Sequence, residues 1–431
     1  MAYPKLPEGS HKLLGQLKDY MELMHEYGAE GIQGIIDTAV AGLEKSLADL
    51  RALPINAALK KKEPDDLAGI LALRTPGPRN MGPISEAAYR EKLEGALLGR
   101  MAGCTLGAIV EFWSIEAMKE WAAYIDVAFP PVDYWPSITA PHKLRYGLSP
   151  CIDYTRDAMD GVPVDDDIAY TLLGLLIAED HGLNFTVKDV GTAWVRYLPY
   201  ACTAEEVALD NLRAGVSADK AADKNNPYVQ WIGADIRSDP FGYLAPAMPE
   251  KAAAMAYQDA YVSHRRNGIY GEMFFSAAIA AAFACDTAEE ALRIGLTEIP
   301  AECQLYGDVM WALNAAPSIK NYADARAAVD ERYAGMSGVH TNLNACLTLF
   351  GLTIGGRDVT KVISETVAMG YDNDCTAATA GSIVGALVGK AGIPAHWYKR
   401  FNNKVHSYLN EHRTFAIDDL INRFTRLALS K

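Results

Sequence analysis

Basic residues are the first shortage. Forty Lys and Arg stand against 54 Asp and Glu in 431 residues, a formal net charge of −14 at pH 7. A non-specific nucleic-acid surface needs clustered Lys and Arg to neutralise phosphates, so this balance argues against one. Long apolar runs free of charge are missing too. The longest, TAATAGSIVGALVG (376–389), sits between Asp374 and Lys390 and is too short to span a bilayer, so no membrane partner is expected. No basic stretch followed by an apolar one opens the chain, which argues against export. The seven cysteines (104, 151, 202, 285, 303, 346, 375) are odd in number, scattered, and form no CxxC pair. They read as reduced thiols in a cytoplasm. P-loop, Ser-His-Asp order and GxGxxG before a strand are all absent, which removes the footing for a nucleophilic hydrolase or a dinucleotide oxidoreductase.

What is present is helical spacing. Half the residues are hydrophobic and 22% are charged, enough to bury a large core. Residues 11–52 place Leu13, Leu14, Leu17, Tyr20, Met21 and Met24 at helical intervals, with a second helical segment at 39–53. KKKEPDD (60–66) and TPGPRNMGP (75–83) look like a linker. Residues 1–85 are thus expected as an appendage, either a helical cap or a homo-oligomer contact. From 86 to 431, helical windows alternate with aromatic, Pro-rich loops, notably 129–150, and no set of alternating strands is found. The expected fold class is all-α.

Two segments carry glycine at intervals of four: Gly95, Gly99, Gly103 and Gly107, then Gly381, Gly385 and Gly389. Each glycine inside a helix costs about 1 kcal/mol relative to alanine, so the spacing needs a compensating gain. It lines the glycines on one face, where another backbone can approach closely. Each ridge also adjoins acid: Glu111 follows the first, and Asp372 and Asp374 precede the second.

In VDDDIAYTLLGLL (164–176), Asp165, Asp166 and Asp167 open a helix whose stripe is Ile168, Thr171, Leu172, Leu175 and Leu176. Acids in a first turn gain about 0.3–1 kcal/mol each from the helix dipole, so capping alone is one reading. GYDNDCTAATAG (370–381) offers the other. Its Asp372 and Asp374 also precede an apolar helix, and two such mouths facing each other would gather five carboxylates. Repulsion and desolvation would then cost several kcal/mol unless hard divalent cations were bound. The His and Cys set that zinc prefers is missing.

VDDDIAYTLLGL, GYDNDCTAATAGSIVGALVG and GALLGRMAGCTLGAIVE resemble, in order and spacing, the three hallmark segments of the ADP-ribosylglycohydrolase family. The resemblance covers roughly 88–400. It implies a single compact orthogonal bundle of helices with two divalent cations, Mg2+ or Mn2+, at the base of a cleft for ADP-ribose. It further implies hydrolysis of the glycosidic bond at the ribose anomeric carbon. Carried over, the metal triplet falls on Asp165, Asp166 and Asp167, and the Asp-x-Asp-Thr element on Asp372, Asp374 and Cys375. Glu111 takes the place beside the scissile bond, with Glu111 and Asp166 as the catalytic pair. IGADIRSDPFG (232–242) resembles the phosphate loop through Gly233, Ala234 and Arg237, and His264 matches a Thr-His position. The chain departs from the family at Asp165, in place of a hydroxyl, and at Cys375, in place of threonine. A neutral thiol is a poor partner for Mg2+ and a better one for a softer ion such as Mn2+.

Trp113 is either a cleft wall or core. Asn267, Tyr270 and Glu272 are either a helix cap or a pocket wall. The functions in view are hydrolysis of an ADP-ribosylated substrate, hydrolysis of a smaller N-riboside or nucleotide, and a non-catalytic, crystallin-like role.

Overall fold

A computed structural model describes residues 3–430 apart from 5, 8 and 138–150. Much of the expected 129–150 loop therefore lies outside the described residues. Contacts divide the chain into two units, one of residues up to 61 with 334–336, the other of 62–333 with 337–431. The smaller unit holds α1 (Ser10–Glu26) and α2 (Ile32–Arg51), neither of which buries a residue. Leu13, Leu14 and Tyr20, whose spacing foretold α1, stay exposed.

The larger unit is built from helices. Those that place the site are α3 (Glu86–Gly107), α4 (Asp166–His181), α5 (Pro249–Ala260), α6 (Asn267–Ala282), α7 (Thr341–Gly355), α8 (Val359–Ala368) and α9 (Asn373–Val388). The all-α expectation holds, with one addition. A short antiparallel pair, β1 (Lys404–His406) and β2 (Thr414–Ala416), sets Val405 opposite Phe415. The helix α6 is buried at every position and forms the centre of the core. By length and composition the helix over 86–110 is apolar enough to cross a membrane, but 83% of that window is packed inside the protein.

The glycine ridges explain how α3 meets α9. A Cβ on Gly99 would lie 2.8 Å from the Gly381 carbonyl carbon, and one on Gly385 would lie 2.6 Å from that of Gly95. Real side chains do not pack that closely, so the two helices touch backbone to backbone along the ridge. The six helical glycines give up helix propensity for this approach. Gly389 has a different reason: it ends α9 at a φ of 70°.

The stretch expected as a linker does not behave as one. Buried Glu63 accepts from Arg266, from Asn267 Nδ2 at 3.2 Å and from the Gln304 amide at 2.8 Å. The Pro64 carbonyl accepts from the Tyr270 hydroxyl at 2.6 Å. Further on, Arg74 and Arg79 both pair with buried Glu298. Residues 62–85 are thus fastened to the helical core by buried polar contacts.

Candidate active site

Where the ridge ends, the acids meet. A Cβ on Gly107 would lie 2.5 Å from the Asp374 backbone nitrogen, so the C-terminus of α3 abuts the N-terminus of α9. A 3-10 turn, Ala108–Val110, then delivers Glu111. The Phe112 amide donates to the Tyr371 carbonyl at 2.9 Å, tying the loop of Glu111 to the turn of Asp372. As a result Glu111, Asp372 and Asp374 hold carboxylate oxygens within 4.8 Å of one another. The α4 mouth joins them. Asp167, Asp374 and Cys375 form a second group at the same spacing, and Cys104, Asp165 and Asp167 a third.

Capping accounts for only part of this. Asp165 caps α4, accepting from the Asp167 amide at 3.0 Å. Asp372 precedes α9 without a side-chain cap hydrogen bond. One oxygen each of Asp167, Asp372 and Asp374 is buried with no hydrogen-bond partner. Buried carboxylate oxygens left unpaired are costly, and these three belong to groups that could hold a cation. Burial, then the neighbouring charges of Asp374, Asp166 and Asp167, pushes the Glu111 carboxyl up to about 9. Burial raises Asp374 to about 6, with Asp166 adding to the effect. Asp165, Asp167 and Asp372 are also raised, by burial first and then by neighbouring carboxylates, chiefly Asp166 at Asp165 and Asp374 at the other two, with Arg100 opposing the rise at Asp167. Burial first, and then the carboxylates of Asp167, Asp372 and Asp374, raise the Cys375 thiol and keep it protonated.

A cavity of about 310 Å3 opens on this centre. Glu111, Asp166, Asp372, Asp374, Cys375 and Gly233 line it, together with Tyr170, Glu205, Trp231 and others. No Lys, Arg or His is among its described lining residues.

Several expected substrate contacts lie elsewhere. Arg237 is 1% exposed, and three carboxylates surround its guanidinium: Glu205 at 2.6 Å, Glu272 at 3.3 Å and Asp259. With every side of its fork engaged, it offers no donor to a phosphate in the cavity. Glu272 belongs to that same buried network and forms no pocket wall. His264 is fully buried, its Nδ1 2.8 Å from Ser263 Oγ, and burial keeps it neutral. Asn267 and Tyr270 are buried too and bind the 63–64 segment described above. Asn267 Oδ1 also accepts from the Leu305 amide at 3.0 Å, in the first turn of the helix Gln304–Ala315. Ala234 is buried in the 3-10 turn Ile232–Arg237, while its neighbour Gly233 reaches the cavity. A Cβ on Gly233 would fall on the Glu205 carboxylate, so the glycine's role is to admit Glu205. Trp113 packs edge-on against Trp121, 6.0 Å between ring centroids, and is not among the described lining residues.

Residues not singled out in the sequence hold the centre from behind. Arg100, next to Gly99 on the ridge helix, is 1% exposed. It donates to the Asp167 carbonyl and the Ile236 carbonyl at 2.6 Å each, to Asp239 at 2.6 Å and to Thr171 at 2.7 Å. Its contact with the Asp167 carboxylate is 3.3 Å. No local signal marks Arg100: one position after a packing glycine lies about 100° round the helix, so its partners are set by folding. Glu205 had no signal at all: it reaches the cavity only through folding.

Fold and site together define an all-helical protein with a buried acidic centre at the base of a cavity. The model of the ADP-ribosylglycohydrolase family matches residues 85–428, and the chain belongs to that family. Among solved structures, it is similar to an ADP-ribosylglycohydrolase-related protein complex, with a TM-score of 0.53 and 18% identity. The match covers 80% of this chain and 97% of the other, and at that identity it speaks for the fold alone. No curated protein sequence matches the chain.

Proposed function

We propose that the protein is a metal-dependent glycohydrolase that cleaves the glycosidic bond at the ribose anomeric carbon of an ADP-ribosylated substrate. One observation carries this reading: two helix mouths bring their carboxylates together around three buried, unpartnered oxygens, those of Asp167, Asp372 and Asp374. Asp165, Asp166, Asp167, Asp372 and Asp374 would hold two divalent cations, Mg2+ or Mn2+, which supply Lewis acidity toward ribose hydroxyls and water. Glu111, at the cavity wall, would accept the proton of the attacking water. Asp166, beside it, would stabilise the positive charge that develops on the ribose ring. Arg100 keeps Asp167 turned toward the centre.

A second reading, hydrolysis of a smaller N-riboside, gains from a specific observation. Arg237 is committed to carboxylates, and no cationic side chain is among the described lining residues to meet a diphosphate. A turnover panel decides between them: ADP-ribosyl-arginine, ADP-ribosyl-serine, O-acetyl-ADP-ribose and simple nucleosides, each with Mg2+ or Mn2+. Release of ADP-ribose supports the first reading and release of free ribose from nucleosides the second. A panel with no turnover under either ion would overturn both.

A further inference from the structure

The helices α1 and α2 bury no residue, yet each carries an apolar stripe. On α1, Leu13, Tyr20 and Met24 stand seven and four positions apart and are 40–64% exposed. On α2, Val40, Leu43, Leu47 and Leu50 follow at steps of three, four and three and are 46–64% exposed. Alternating steps of three and four keep to one side of a helix, the spacing of a coiled-coil seam. Half-buried Ile36 begins the α2 stripe, and from Val40 to Arg51 every residue is exposed.

Helices of 17 and 20 residues draw most of their stability from packing rather than from propensity. Propensity is poor here, since Gly15, Gly34 and Gly42 lie inside them. The ridge glycines of α3 and α9 gain close backbone contact, whereas a Cβ on any of these three would meet nothing within 4 Å. The seven stripe side chains together expose on the order of 700 Å2, near the roughly 800 Å2 per partner that a stable dimer buries. Apolar surface on that scale marks an interaction site.

Charge then selects the partner. Of the net −14, residues 1–61 carry only −1, with seven Lys and Arg against eight Asp and Glu. Such a surface neither draws a polyanion or a strongly charged protein nor repels its own copy. A helix lying on a membrane has Lys and Arg on its polar face. On α1 and α2 the acids outnumber the bases, six to four.

We propose that α1 and α2 are the dimerisation element of the chain, and that the stripe centred on Leu43 and Leu47 packs against the same stripe of a second copy. An apolar seam with this period is complementary to a copy of itself, and a twofold contact presents one surface to itself. The contact takes out of water the side chains that face it, and so supplies the packing that both helices lack. It uses no residue of the acidic centre, so it stands or falls apart from the glycohydrolase reading.

The experiment is sedimentation equilibrium of the full chain over a series from low to tens of micromolar. At the upper end the wild type should have twice the chain mass. Leu43→Glu with Leu47→Glu would bury unpaired carboxylates in the contact and should weaken association roughly a hundredfold or more. Leu47→Ala introduces no charge and keeps a good helix former, and should weaken it roughly tenfold through lost apolar area in both copies. Ala41→Glu with Ala48→Glu adds the same charge on the opposite, exposed side of α2 and should leave the dimer intact. A wild type that stays monomeric across the series would overturn the proposal. So would a dimer that tolerates the paired leucine substitutions, or one that the paired alanine substitutions break equally. Monomeric protein that co-sediments with vesicles of phosphatidylcholine and phosphatidylserine would overturn it in favour of a lipid surface.

Discussion

The Phe112 amide donates to the Tyr371 carbonyl over 2.9 Å, and both residues sit at positive φ, 59° and 60°. Neither is glycine, so each conformation costs on the order of 1–2 kcal/mol. Glu111 and Asp372 are their immediate neighbours in the chain. The strain is therefore placed where two loops must hold carboxylates at a fixed separation.

That relationship gives the first prediction. Phe112→Gly or Tyr371→Gly should relieve strain and leave the melting temperature equal or slightly higher. Freed backbone would let Glu111 drift relative to Asp372 and Asp374. Turnover should fall roughly ten- to a hundredfold, as expected for misplacement on the ångström scale. Unchanged kcat in both variants would show that the latch is only structural.

The second prediction separates ligands from caps. Asp166→Asn and Asp374→Asn should abolish hydrolysis while helical circular dichroism is retained. In EDTA-treated protein the same variants should melt at or above the wild-type temperature, because each removes one like charge from the cluster. A cap would behave in the opposite way, with activity kept and stability lost. Thermal melts and turnover on the same preparations distinguish the two.

These residues could be read in advance because their signals are local. Glycine every four residues has one geometric use, and the ridge duly brings Gly107 against Asp374. The acids lie within a few residues of helix starts that the apolar spacing already marks. The remainder depends on distant partners. Arg237 meets Glu205 and Asp259, 32 and 22 residues away in the chain, and Tyr270 meets Pro64 across 206 residues. A motif position says that such a residue matters. Which side of the chain it faces is decided by packing, and here packing turns Arg237, His264, Asn267 and Glu272 inward. The same limit hid Glu205 and Arg100.

The third prediction follows from the buried Arg237 network. Arg237→Ala should not selectively weaken ADP-ribose, as a phosphate ligand would. It should strip the cation from Glu205, Asp259 and Glu272, with a stability loss on the order of 3–5 kcal/mol. Chemical denaturation would measure this. Acid should narrow the gap to wild type, since protonated carboxyls no longer need the cation. A variant of wild-type stability that loses only diphosphate affinity would restore the phosphate-loop role.

The last prediction concerns pH in the metal-free protein. Glu111 is raised from 4.5 to about 9, and Asp374 from 3.8 to about 6, in each case by burial first and carboxylate neighbours second. Folded-state values above the unfolded ones mean that the folded protein holds more protons across this window. Their stabilising contribution is complete below the unfolded values and is lost as pH rises through the folded ones. EDTA-treated protein should therefore show a falling melting temperature from about pH 5 to about pH 9. Saturating Mg2+ or Mn2+ replaces those protons, so the stabilisation by added cation should grow over the same range. Scanning calorimetry at stepped pH, with and without cation, checks both slopes. A metal-free melting temperature that climbs with pH, or a cation effect that shrinks, would mean that the Glu111 and Asp374 carboxyls do not share an uncompensated site.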